Sequence, residues 1–187
     1  PVLAGWPPIF MPVHIAFLEL VIDPVCSIVF EAESEESDAM RRPPRDPGAP
    51  LFAPDLIGWS LLQGACVLAA LSAMYAEALG HGLPHAEARS MTFATLVLAN
   101  FSLILANRSF SASPFTAFRR PNPALWRVFA VTIGLLAIVL YVPGPSDIFR
   151  FAPLTPAQFG VCVAIAAGLL FVFEAIKLAA RALKRPL

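Results

Sequence analysis

Glu19 and Asp23 lie four residues apart in the apolar run from Met11 to Phe30. At 3.6 residues per turn a helix puts both carboxylates on one face, and Ser27 continues the stripe. A carboxylate at the bilayer centre costs about 2.5–3.5 kcal/mol on insertion scales, so an intramembrane acid points to an ion or proton path. Pro24 follows Asp23 directly. It brings no N–H, and its ring clashes with the carbonyl four residues back, that of Leu20. The helix is therefore expected to kink or unwind across Glu19–Pro24. Carbonyls freed there must be buried in protein or face a wet cavity. Carboxylates and carbonyls on a broken helix are hard oxygen ligands, which suit calcium, magnesium, manganese or protons better than copper or zinc. The bland alternative is pairing with basic groups of neighbouring helices. No Lys or Arg stands in mid-span to neutralise the two acids.

These residues need a membrane around them, and the composition supplies the reason to expect one. The 187 residues are 58% hydrophobic and 14% charged, with a mean hydropathy of +0.72. A soluble domain carries about 25% charged residues. A soluble enzyme and a disordered chain are both excluded on this ground. Thirteen basic and thirteen acidic residues cancel, without the clustered basic surplus that a nucleic-acid partner requires. Cys26, Cys66 and Cys162 are far apart, which suggests neither a zinc site nor a redox pair. The sequence opens at Pro1 inside apolar sequence with no signal-peptide pattern, and reads as a piece of something longer.

About 20 apolar residues cross the hydrocarbon core as a helix. Five segments qualify, at about 11–30, 55–79, 90–107, 126–143 and 154–179. The expected fold is all-α: a polytopic membrane bundle of five transmembrane helices, the first of them broken, over 1–187. Eleven basic residues fall in 31–54, 108–127 and the tail, against Arg89 and Arg150 on the other side. The positive-inside rule then makes the loop 31–54 cytoplasmic, with the N-terminus outside and the C-terminus inside. His14 falls near the outer end of its span and reads as a packing or interfacial residue. Asn100 and Ser102 are polar and mid-membrane, which suits interhelical hydrogen bonding. Ala65, Ala69 and Ala73 form a small-residue stripe that suits helix packing. Trp6, Trp59 and Trp126 suit interfacial anchoring, and Glu174 with Lys177 a local ion pair.

The run His14 to Glu31, followed by Met40-Arg41-Arg42-Pro43-Pro44-Arg45, resembles the sixth membrane helix and following loop of P-type cation-transporting ATPases of the calcium-pump kind. Leu140-Tyr141-Val142, Ile148-Phe149, Leu154-Thr155, Gln158, and Glu174 with Lys177 and Arg181 are similar to the ninth and tenth helices of those pumps. The resemblance covers nearly the whole chain, in order. It implies that Asp23 is an ion-ligating aspartate and that Glu19 stands where calcium pumps have a ligating asparagine. Ile22 replaces a ligating threonine, and Pro24 a glycine. The eighth-helix acid of two-site pumps has no counterpart; its position falls near Ser102, with Asn100 the nearest alternative. One ion site is therefore expected rather than two. Glu19 and Asp23 are its core, and Ser27, Asn100 and Ser102 are further candidates.

The resemblance also implies what this stretch does not contain. It has no Asp-Lys-Thr-Gly phosphorylation motif, no Thr-Gly-Glu motif and no Gly-Asp-Gly hinge. Hydrolysis of ATP by this chain alone is not expected. ATP and Mg2+ would belong to an N-terminal portion with the first five helices and the cytoplasmic domains. The expected partners are that portion and the lipid bilayer. Met40, Arg41, Arg42, Pro43, Pro44 and Arg45 are expected to couple the two portions. The transported cation is calcium or a similar divalent ion, with a proton as the competitor within the class. The alternative from another class is a stand-alone or remnant five-helix protein acting as a passive carrier or pump-associated subunit. The expected setting is a bacterial inner membrane.

Overall fold

The structure, a computed structural model, describes residues 8–33, 48, 54–108 and 122–182, without the side chains of Asp23, Val25, Asp55 and Arg181. Every regular element among the described residues is helical. The first span is built from three pieces: α1 (Pro12–Phe17), a π turn (Leu18–Ile22) and α2 (Asp23–Glu31). There follow α3 (Pro54–Gly80), α4 (His85–Asn107), α5 (Pro123–Tyr141), a short α6 (Pro145–Phe149) and α7 (Pro156–Ala182). Prolines set most of the starts. Among the described residues α1, α3, α5, α6 and α7 all open on one. The first helical position has no intrahelical use for an N–H, and proline's fixed φ suits it. Asn122 adds a side-chain cap to α5, its Oδ1 accepting the Leu125 N–H at 3.0 Å.

The expectation of five spans with a bent first one is borne out. Five described helices are long and apolar enough to cross a membrane: Pro12–Glu31, Leu56–Gly80, His85–Asn107, Pro123–Tyr141 and Pro156–Ala180. The turn between α3 and α4 closes at Gly82 (φ 75°), where the Leu83 N–H reaches the Ala78 carbonyl at 3.1 Å. A positive φ at that point is what glycine supplies without steric cost.

The spans are not equivalent. About 72% of the central apolar window of α4 is buried, against 22–33% for each of the others. Its own sequence explains this position. Ala88, Ala94, Ala99 and Ala106 are small enough to admit neighbouring backbones, and all are fully or nearly fully buried. Two of the buried hydroxyls between them are satisfied within α4 itself. Ser90 and Thr92 donate to the carbonyls of Ala86 and Ala88 at 2.9 and 2.7 Å. Helix α4 packs most extensively on α7, then on α3. The aromatic layer Phe17, Phe93, Phe149 and Phe151 closes one end of the core.

Two sequence expectations are corrected here. The stripe Ala65, Ala69 and Ala73 is exposed; α3 instead buries Trp59, Gln63, Val67, Leu71, Met74 and Ala78. In lipid no water is released, so the dispersion contacts of the larger side chains carry that face. Trp59 is no interfacial anchor either. It is 4% exposed, lies edge-on to Phe173, and its Nε1 donates to Asn107 Oδ1 at 3.1 Å. Trp126, 59% exposed, faces outward, as an anchor would.

The asymmetry is testable by enlarging one alanine at a time. Ala99→Leu in α4 is expected to cost about 1–3 kcal/mol through overpacking. Ala65→Leu on the outer face of α3 is expected to leave the unfolding midpoint in detergent unchanged. Equal effects in thermal melts would contradict the placement of α4.

Candidate cation site

Pro24 is the origin of the local geometry. In an uninterrupted α-helix its N–H would meet the Leu20 carbonyl, and it has none. The chain does not unwind in response. Leu18 and Ile22 keep right-handed helical angles (φ −61°, ψ −48° and φ −76°, ψ −41°), and the residues between are wound wider, as a π turn. Such turns widen the ladder by one residue and recur at functional sites. Glu19 lies within the π turn, and Asp23 is the first residue beyond it.

The first span has two faces. His14, Phe17, Ile22 and Val29 are buried against the bundle. Glu19, Leu20, Pro24 and Ser27 are exposed, Leu20 at 78%. The Glu19 carboxylate and the Ser27 hydroxyl therefore stand on the face that the other described helices leave uncovered. Helix α4 runs beside the π turn. Its two polar candidates are already engaged. The Asn100 amide donates to the Leu96 carbonyl of its own helix at 3.0 Å and makes no interhelical bond among the described residues. Ser102 is buried and donates across to the Ala166 carbonyl of α7 at 2.7 Å. Among the described residues no three His, Cys, Asp or Glu side chains gather as a metal-binding group. Met40, Arg41, Arg42, Pro43, Pro44 and Arg45 lie outside the described residues.

A cation is present in the last span but is spent elsewhere. Lys177 is 2% exposed, pairs with Glu174 at 2.6 Å and donates to the Ala106 carbonyl at the end of α4. The local pairing expected from the spacing is thus present, with the added role of capping a neighbouring helix end.

Both ends of the first span are tied by polar contacts, and neither tie was visible in the spacing. At one end His14 is fully buried among Phe10, Phe93, Phe149 and Phe151. Its Nδ1 accepts the Met11 N–H at 2.8 Å, which places the ring proton on Nε2, 3.0 Å from the Phe149 carbonyl of α6. His14 is therefore a packing residue, as expected, and also a bridge. At the other end Glu33, just beyond α2, receives both Nε and an Nη of Arg108 at 2.7 and 3.1 Å. Asn122 donates to the same carboxylate at 3.0 Å and to the Val29 carbonyl at 3.2 Å. An asparagine before Pro123 signals a helix cap in sequence. Its second use, 89 residues from Glu33, carries no local signal.

Five apolar spans, with α4 buried among the other four, define a multi-pass integral membrane protein. The chain belongs to the family described as "Cation transporting ATPase, C-terminus", which it matches over residues 7–179. The resemblance to the C-terminal membrane region of the cation pumps is thereby borne out. A calcium-transporting ATPase of Bacillus subtilis is 29% identical over 161 residues, 84% of this chain and 18% of that protein. A calcium-transporting ATPase of Listeria monocytogenes is 30% identical over 165 residues, 86% of this chain and 18% of the relative. A probable cation-transporting ATPase F of Mycobacterium tuberculosis is 26% identical over 157 residues, 83% and 17% respectively. The chain thus spans less than a fifth of the length of these relatives.

The His14 bridge sets a stability expectation. His14→Leu leaves the Met11 N–H and the Phe149 carbonyl without their partner, at about 1–3 kcal/mol for each buried group. Thermal unfolding in detergent should register the loss. An unchanged midpoint would mean that the ring fills space and ties nothing.

Proposed function

We propose that this chain is the C-terminal membrane part of an ATP-driven cation pump, and that Glu19 and Asp23 ligate the transported ion. The observation that carries the reading is the π turn: in a chain of the cation-transporting ATPase family, it sets two carboxyl residues one turn apart in mid-span. Glu19 brings a carboxylate to an uncovered face, and Pro24 deprives the Leu20 carbonyl of its usual donor. Oxygen ligands of this kind suit a hard divalent cation, and the names of the relatives favour calcium. Ser27 extends the ligand stripe on the same face, and Asn100 and Ser102 remain candidates through their oxygens. A calcium-sized ion takes six to eight oxygens, so a large share must come from helices outside this chain.

Those helices, with the nucleotide and Mg2+ chemistry, belong in this reading to a larger N-terminal portion. The share of the relatives that the chain spans supports it. The eleven-to-two distribution of basic residues supports an N-terminus outside, a C-terminus in the cytoplasm and a cytoplasmic loop over 31–54. The setting is a bacterial inner membrane, and the 1–187 stretch is one membrane domain. Met40, Arg41, Arg42, Pro43, Pro44 and Arg45 then lie where phosphorylation in the cytoplasm must be passed to the first span.

Two measurements on the complete pump test this reading. Asp23→Asn should abolish calcium-stimulated phosphorylation while the protein still accumulates in the membrane; normal calcium dependence would remove Asp23 from the site. Phosphorylation that follows pH and ignores calcium would make the pair a proton site, since close acids titrate as one coupled unit. Replacing Arg41, Arg42 and Arg45 together with Gln should lower ions moved per ATP. Unchanged coupling would reject the loop's role.

A further inference from the structure

We infer that Glu33, Arg108 and Asn122 form a positioning clamp that sets the cation affinity of the first span from its far end. The inference rests on the pump reading and adds three residues that touch no ion. Glu33 stands ten residues beyond Asp23, about 15 Å along a helix at 1.5 Å per residue. Its carboxylate is the meeting point of three spans. Arg108, at the end of α4, grips it with two hydrogen bonds at 2.7 and 3.1 Å. Asn122, at the head of α5, gives it a third at 3.0 Å and binds the last turn of α2 through the Val29 carbonyl. The Asn122 carbonyl oxygen is used as well, capping α5.

Three features separate this cluster from a surface ion pair. The side chains of Arg108 and Glu33 are 3% and 13% exposed, so solvent screens them little. The contact is bidentate, which fixes direction as well as distance. Each group belongs to a different span, so the cluster fixes the inner end of α2 against both α4 and α5. The sequence between Glu33 and Pro54 departs from this point. A push on that connecting sequence meets the clamp before it meets the π turn. With the clamp intact, α2 transmits the displacement as one body. With it loosened, α2 shifts against α4, and the carboxyl residues at the π turn leave their register.

The test uses the complete pump in native membranes and reads phosphorylation from ATP against free calcium. Glu33→Gln keeps the shape and the Asn122 bond but removes the charge. It should raise the half-saturating calcium about fivefold, within the range of couplings measured for contacting residues, and leave the phosphoenzyme level at saturating calcium unchanged. Arg108→Lys keeps the charge, loses the fork, and should shift the midpoint in the same direction. The double variant Glu33→Gln/Arg108→Lys should shift it no further than the larger single change. A role in folding alone would lower the phosphoenzyme level with the midpoint fixed, and that result overturns the clamp. Additive shifts overturn it too. If Glu33→Gln fails to accumulate, Arg108→Lys decides by the same criterion. A wild-type pump whose phosphorylation ignores cations overturns the pump reading, and the clamp falls with it. A responsive wild type with unshifted variants overturns the clamp alone.

Discussion

Hydrocarbon offers the backbone no hydrogen bonds, and that constraint shapes everything else in this structure. Each N–H and C=O within a span must find a partner inside the protein, so the spans are helices. Pro24 breaks the rule at one point by withholding a donor in the middle of the first span. The response is economical. The helix keeps its hand and widens over Leu18–Ile22. The two carboxyl residues of the span lie within that widening and just after it. Irregular backbone and intramembrane charge, each costly alone, are gathered in one place.

The rest of the bundle holds that place without filling it. Helix α4 is the central post, made narrow by alanine, serine and threonine. It contributes Phe93 to the rings that surround His14 at one end of the first span, and its C-terminal Arg108 grips Glu33 at the other. Between these two ties the span presents Phe17, Ile22 and Val29 to the core and Glu19 and Ser27 away from it. Polar groups of α4 and α7 are engaged across their shared interface. Ser102 binds Ala166, and Lys177 binds Glu174 and Ala106. Glu19, on the exposed face of the first span, stands outside that network.

Much of this was readable from the residues. Uninterrupted apolar length marks a span whatever its neighbours are, and five such lengths were plain. Pro24 marked the irregularity at Glu19–Pro24. What could not be read was which face of a uniformly apolar helix meets which neighbour. Helix α3 is apolar all round, so its Ala65 stripe and its Val67 stripe are equally regular, and packing volume decides between them. The same limit hid the burial of Trp59. The ties at His14 and Glu33 join residues 75 to 135 positions apart, beyond any local pattern. The wide turn itself was expected as a kink or an unwound stretch. Sequence reports that Pro24 denies a bond, but not how the turn redistributes the remaining ones.

The wide turn has a mechanical meaning. It is slack: one residue more per turn than the helix on either side needs. Tightening it to ordinary winding would swivel α2 relative to α1 by the angle of a single residue, about 100°. A swivel of that size carries a side chain from one neighbour to the next without melting the helix. The two anchored ends decide whether that slack is released or held, much as two bearings decide whether a twisted shaft turns.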